Sequence, residues 1–156
     1  MPPPAFTFRL APQLSVKRRA IGFLEGDARG EFDAGKVFDS LAGNAANDLR
    51  HKMDLWIDGS PNLKKYFHGW DAPLYKQCFV FKQKKHRFYG FLCNPKPRSD
   101  PGFRLCVLIY HDTKNEYESN YRLLDRINSW RQYLAVKVAI GRTYPEFKED
   151  KQPWLN

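Results

Sequence analysis

Three short runs in the second half of the chain, LYKQCFVFKQ (74–83), HRFYGFLCN (86–94) and FRLCVLIYHD (103–112), are rich in aromatic and β-branched residues. Runs of this length and content, bounded by turn residues, predict strands. The gap around Gln83, Lys84 and Lys85 is short enough for a hairpin. The second gap, NPKPRSDPG (94–102), holds three prolines and a glycine and predicts a loop. Strands joined in this way form an antiparallel meander, and VKRRAIGFLEG (16–26) offers a fourth strand.

The flanking segments change period. GEFDAGKVFDSLAG (30–43) places Phe32, Val37, Phe38 and Leu41 near helical spacing. In ANDLRHKMDLWIDG (46–59), Leu49, Met53 and Trp56 form one stripe, and Gly59 before Ser60-Pro61 is a helix stop. The short link between the two predicts an antiparallel helical hairpin. After the third strand, Thr113 and Glu116 have the spacing of a capping box, which predicts a helix start near Lys114. Leu123, Ile127, Trp130 and Leu134 continue that helix as a core-facing stripe. Residues 1–15, with Pro2, Pro3, Pro4 and Pro12, read as an irregular arm, and residues 135–156 as a peripheral extension. The expectation is an α+β domain over residues 16–134: a helical hairpin packed on a small antiparallel sheet and closed by a C-terminal helix.

Charge is distributed unevenly. The net charge of +9 resides mainly in residues 60–100, where nine Lys and Arg face two Asp, whereas residues 1–59 balance at eight of each sign. A footprint of this kind suits a polyanion or an acidic partner. Cys78, Cys93 and Cys106 are an odd set without a CxxC pair, so they read as reduced, buried apolar residues rather than a disulfide framework or zinc ribbon. No apolar run nears the roughly 20 residues of a membrane helix. The first residues lack the apolar stretch of a signal peptide, so the expected compartment is the cytoplasm. No Gly-rich phosphate loop, HExxH or GxSxG motif is present, and no metal site or cofactor is expected.

The order of LWIDGSPNLKKYF (55–67), LYKQCFVF (74–81), KHRFYGFLC (85–93) and LCVLIYH (105–111), with a looser match over residues 116–134, resembles the HigB-like branch of the RelE/ParE toxin superfamily, often found as phage-derived proteins. The resemblance covers about residues 28–134. It implies a RelE-like fold and the toxin of a toxin–antitoxin pair: a ribosome-dependent mRNA endoribonuclease that uses the ribose 2′-OH as internal nucleophile and needs no metal. Implied partners are mRNA, the ribosome and a helix-turn-helix antitoxin. Two alternatives stand beside this: a ParE-like gyrase inhibitor of the same fold, and a non-catalytic phage-derived module binding nucleic acid or protein. The passage after His111 has one lysine where family members often have two, which favours the non-catalytic module.

Cleavage by an internal 2′-OH needs a proton acceptor, cations for the developing phosphorane charge, and a donor to the leaving 5′-oxygen. Arg87, at the position matching the family's strand arginine, is the candidate phosphate grip, its alternative being an edge-exposed or salt-bridged arginine. His111 at a strand end and Lys114 at a helix start are the candidate acid and base, against structural and solvated alternatives. Lys82, Lys84, Lys85 and His86 are candidate RNA-backbone contacts; a polar hairpin turn is the alternative for the last three, and the preferred reading of Lys84. Tyr89, two residues from Arg87 on the same strand face, can stack on a base or serve the core.

Overall fold

The computed structural model describes residues 6–12, 14–26, 30–113 and 120–149. In chain order the elements are β1 (Thr7–Leu10), β2 (Arg19–Glu25), α1 (Ala34–Ser40), α2 (Gly43–Ile57), β3 (Phe67–Gly69), a 3-10 turn (Pro73–Tyr75), β4 (Cys78–Gln83), β5 (His86–Cys93), β6 (Arg104–Thr113), α3 (Tyr121–Trp130), α4 (Leu134–Gly141) and α5 (Pro145–Glu149). The six strands form one sheet in the order β1-β2-β6-β5-β4-β3. The α+β class and the β4-β5-β6 meander agree with the sequence reading. The sheet itself is mixed rather than purely antiparallel, because β2 and β6 pair in parallel. The helical hairpin after β2 leads to β3 at the edge of the sheet opposite β1, and the antiparallel steps from β3 to β6 bring β6 back beside β2, running the same way.

Helices cover both faces. On one, α1 and α2 bury Phe38, Leu49, Met53 and Trp56 against Ile21, Phe23, Phe79, Phe81 and Phe88. α2 stops as its glycine predicts: Gly59 takes φ +99°, its N–H donates to Trp56 O, and Ser60 N–H donates to Leu55 O. This is a Schellman closure. On the other face, Leu124 and Ile127 of α3, Val136 and Ile140 of α4, and Phe147 of α5 cover Ala20, Leu24, Val80, Tyr89, Phe91, Leu105 and Val107.

Several boundaries differ from those expected. Residues 7–10 of the N-terminal arm are strand β1, paired antiparallel with β2, and residues 135–149 are not peripheral but supply part of the core. Leu74 and Tyr75 sit in the 3-10 turn, with β4 beginning only at Cys78. The expected helix start near Lys114 lies outside the described residues. α3 begins at Tyr121, where the Asn120 side chain accepts the Leu123 N–H. The expected stripe breaks at Arg131, which leaves Leu134 74% exposed at the start of α4. Phe32 precedes α1 and packs with Phe6, Tyr110 and Trp130 on the far face.

One irregularity decides where the candidate residues point. Tyr89 pairs with Tyr110, but Gly90 pairs with Leu108, so Ile109 is an extra residue in β6. This bulge resets the alternation of side chains, and every residue after it changes face relative to a regular strand.

Candidate functional site

Arg87 and His111 are two of the three residues expected to act together, and they lie on opposite faces of the sheet. Arg87 pairs with Asp112 and shares the α3 face with Tyr89, whereas His111 pairs with Phe88 and shares the face of α1 and α2. Without the bulge at Ile109, His111 would have fallen on the face of Arg87. Lys114, the third, lies outside the described residues.

Arg87 is 3% exposed. Its Nη1 donates to the carbonyl oxygens of Lys84 and His86, which ties the guanidinium to the hairpin's own backbone. That turn needs support, because Lys84 holds φ +52° without being glycine. Tyr89 is 1% exposed and stacks on Trp70, so its ring presents no face to a base. Burial is also the main reason its phenol sits above the usual range. Lys82 is half-buried, and its Nζ donates to Lys64 O at 3.0 Å. Lys84 and Lys85 are exposed at the hairpin tip.

On the opposite face the structure brings together two residues that had been assigned separate roles. His86 Nδ1 and His111 Nε2 lie 2.8 Å apart, so one imidazole donates and the other accepts. The two rings are diagonal neighbours on β5 and β6 and lie beside Phe88. Both histidines are partly exposed. The His111 imidazole sits below its ordinary value, first because of burial and then because of the charge of His86, with Asp33 and Asp112 opposing. The lowered His111 favours its neutral imidazole, and the direct contact lets the pair share one bridging proton or pass it between the two ring nitrogens.

Two further residues border this pair. Asp33 precedes α1 but makes no side-chain cap there, and its Oδ1 instead accepts the His111 N–H at 2.7 Å. Gln83, opposite His86 across the turn, is 1% exposed; its Nε2 lies 3.4 Å from Asp48 Oδ2 and its Oε1 has no partner. The two-residue turn signal could have placed Gln83 beside His86, whereas the 78-residue separation of Asp33 and His111 hid that contact.

The cysteines are all free and buried, and burial pushes the Cys78 thiol up to about 12, far from a reactive thiolate. Among the described residues no group of three or more His, Cys, Asp or Glu is placed to hold a metal ion. None of the described helices is long and apolar enough to cross a membrane. No family model, curated protein or solved structure matches the chain.

Proposed function

We propose that the chain is a small RNA-cleaving toxin, an mRNA endoribonuclease of RelE-like fold that works on the ribosome. In this reading the His86–His111 pair moves the protons. The observation that carries it is the direct 2.8 Å contact between the two imidazoles at the end of the hairpin that presents Lys84 and Lys85. A neutral imidazole of the pair takes the 2′-OH proton as that oxygen attacks phosphorus. The P–O5′ bond breaks, and the leaving 5′-oxygen takes a proton from the pair, which ends with as many protons as it began. The exposed lysines oppose the charge that gathers on the phosphoryl oxygens. The products are a 2′,3′-cyclic phosphate and a free 5′-hydroxyl. The order of a helical hairpin, three meander strands and a following helix also supports the family reading. A helix-turn-helix antitoxin that covered the basic hairpin would silence the protein.

The second reading, a module that binds RNA or protein without cutting, is favoured by one observation. Arg87, the residue expected to grip phosphate, is buried and bonded to the hairpin backbone.

The test is cleavage of mRNA on translating ribosomes by the full-length protein, with His111→Asn and His86→Asn alongside. Expected are codon-positioned cuts with 2′,3′-cyclic ends, and a fall of roughly a hundredfold or more in each variant. Bound but intact RNA would establish the module instead, and intact mRNA with DNA damage would point to gyrase.

A further inference from the structure

A second cationic site lies at the other end of the sheet, about 20 Å along β5 from the histidine pair, as Leu92 is six steps along the strand from His86. Here β2 and β6 begin side by side, with Arg19 in register with Arg104. Both residues share the face of Ile21, Cys106 and Leu108, so two guanidinium groups project from adjacent strands on one side. Like charges placed together on a sheet are unfavourable unless something answers them. Among the described residues neither arginine forms an ion pair.

Arg19 is half-buried over the Trp56 ring, with its Cζ 5.0 Å from the ring centre. Its Nη1 donates to Trp56 O and Ser60 O at the closed end of α2. Its Nε and Nη2 have no acceptor among the described residues. Burial and then the neighbouring Arg104 hold this guanidinium below its ordinary value. The two arginines line a cleft of about 210 Å³ together with Lys76, Asn62, Trp70 and Asp71. Among the described lining residues Asp71 is the single carboxylate against three cations, and a second hollow of about 220 Å³ adjoins at Leu92 and Arg104.

We propose that this cleft binds a phosphate monoester, the terminal phosphate of a nucleotide, with Arg19 and Arg104 holding its oxygens and Trp70 beside the attached group. The doubly charged, multi-oxygen head of a monoester matches paired guanidinium forks better than a carboxylate does. The cleft is smaller than the roughly 300 Å³ of a typical small-molecule pocket, so it suits a phosphate and an adjoining sugar rather than a large cofactor. The assignment does not rest on RNA cleavage at the hairpin end.

Trp56 and Trp70 make the site readable by tryptophan fluorescence. Inorganic phosphate, 5′-AMP and adenosine are titrated against the full-length protein at ionic strength held constant with sodium chloride. Saturable binding of phosphate is expected, tighter for 5′-AMP and absent for adenosine. Arg104 is exposed, so Arg104→Ala should fold as the parent does while weakening both phosphate ligands roughly tenfold or more. Arg104→Lys, which keeps the charge but loses the fork, should fall between. Adenosine binding as well as 5′-AMP, no saturable response to phosphate, or unchanged affinity in Arg104→Ala would each overturn the assignment.

Discussion

Gly90 lies so close to β6 that an added Cβ would sit 1.9 Å from Val107 O and 2.7 Å from Leu108 Cα. Both obstacles are backbone atoms in the middle of the sheet, with no flexible end to move aside. Gly90→Ala is therefore expected to destabilise by about 3 kcal/mol or more in urea unfolding, since the bulge beside it must open or shift. A glycine inside an otherwise aromatic strand is a sequence sign of a bulge or close approach. Read that way, Gly90 would have warned that regular alternation fails nearby. Nothing in the sequence said which strand would carry the extra residue, because that depends on packing across the pair. Arg87 was legible as a special residue but not in its role, since turn carbonyls do not show in a side-chain pattern. His111 also gives a pH dependence. Its folded value lies below its ordinary value of 6.5, so the unfolded chain takes up the proton first as pH falls. Stability is full above about pH 6.5 and is lost as pH drops through the lowered value. In His111→Asn, urea midpoints should fall less between pH 7 and pH 5 than in the parent; an equal fall would show that other groups dominate.

Among the elements, the meander and the hairpin α1–α2 were legible because each carries its own periodic signal and its own stop. The aromatic runs end at a two-residue turn or a proline-rich loop, and α2 ends at Gly59. β1 was hidden because its four residues follow a run of prolines and gain order only by pairing with β2, where the Phe8 ring fills the space over Gly22. β3 is three residues long and offers too little pattern to read. The C-terminal helices misled for a different reason. Leu134 keeps the spacing of the α3 stripe, yet the turn after Trp130 rotates it into solvent, and the core positions pass to Val136, Ala139 and Ile140. This reassignment can be measured with a matched pair of truncations. Ile140→Ala should cost about 2–5 kcal/mol, as for a buried aliphatic with little room to collapse. Leu134→Ala should change stability by less than about 0.5 kcal/mol. Similar losses at both positions would mean that α3 and α4 act as one continuous helix.

Across the whole molecule, the first and last described segments meet, since Arg142 Nη1 donates to Phe6 O and α4 packs on β1. Helices thus occupy both broad faces of the sheet, and the Lys84-Lys85 tip projects from the end of the β4–β5 hairpin. That tip belongs to residues 60–100, which carry most of the excess positive charge. A polyanion drawn to this end would release counterions as it docked, and its affinity would fall with salt in proportion to the phosphates contacted. For single-stranded RNA, each contact contributes about 0.7 to the slope of log K against log salt. The double variant Lys84→Glu/Lys85→Glu should therefore lower RNA affinity and flatten that slope by about 1.4, if each lysine meets one phosphate. Its folding should be little affected, because Lys85 is exposed and the change at Lys84 keeps a non-glycine residue at the same φ. Fluorescence anisotropy with a short labelled RNA between about 50 and 200 mM salt spans a range in which such differences are large. An unchanged slope with intact folding would place the RNA contact elsewhere, and the exposed Lys64, Lys65 and Lys76 of the same segment would be the next surface to reverse in charge.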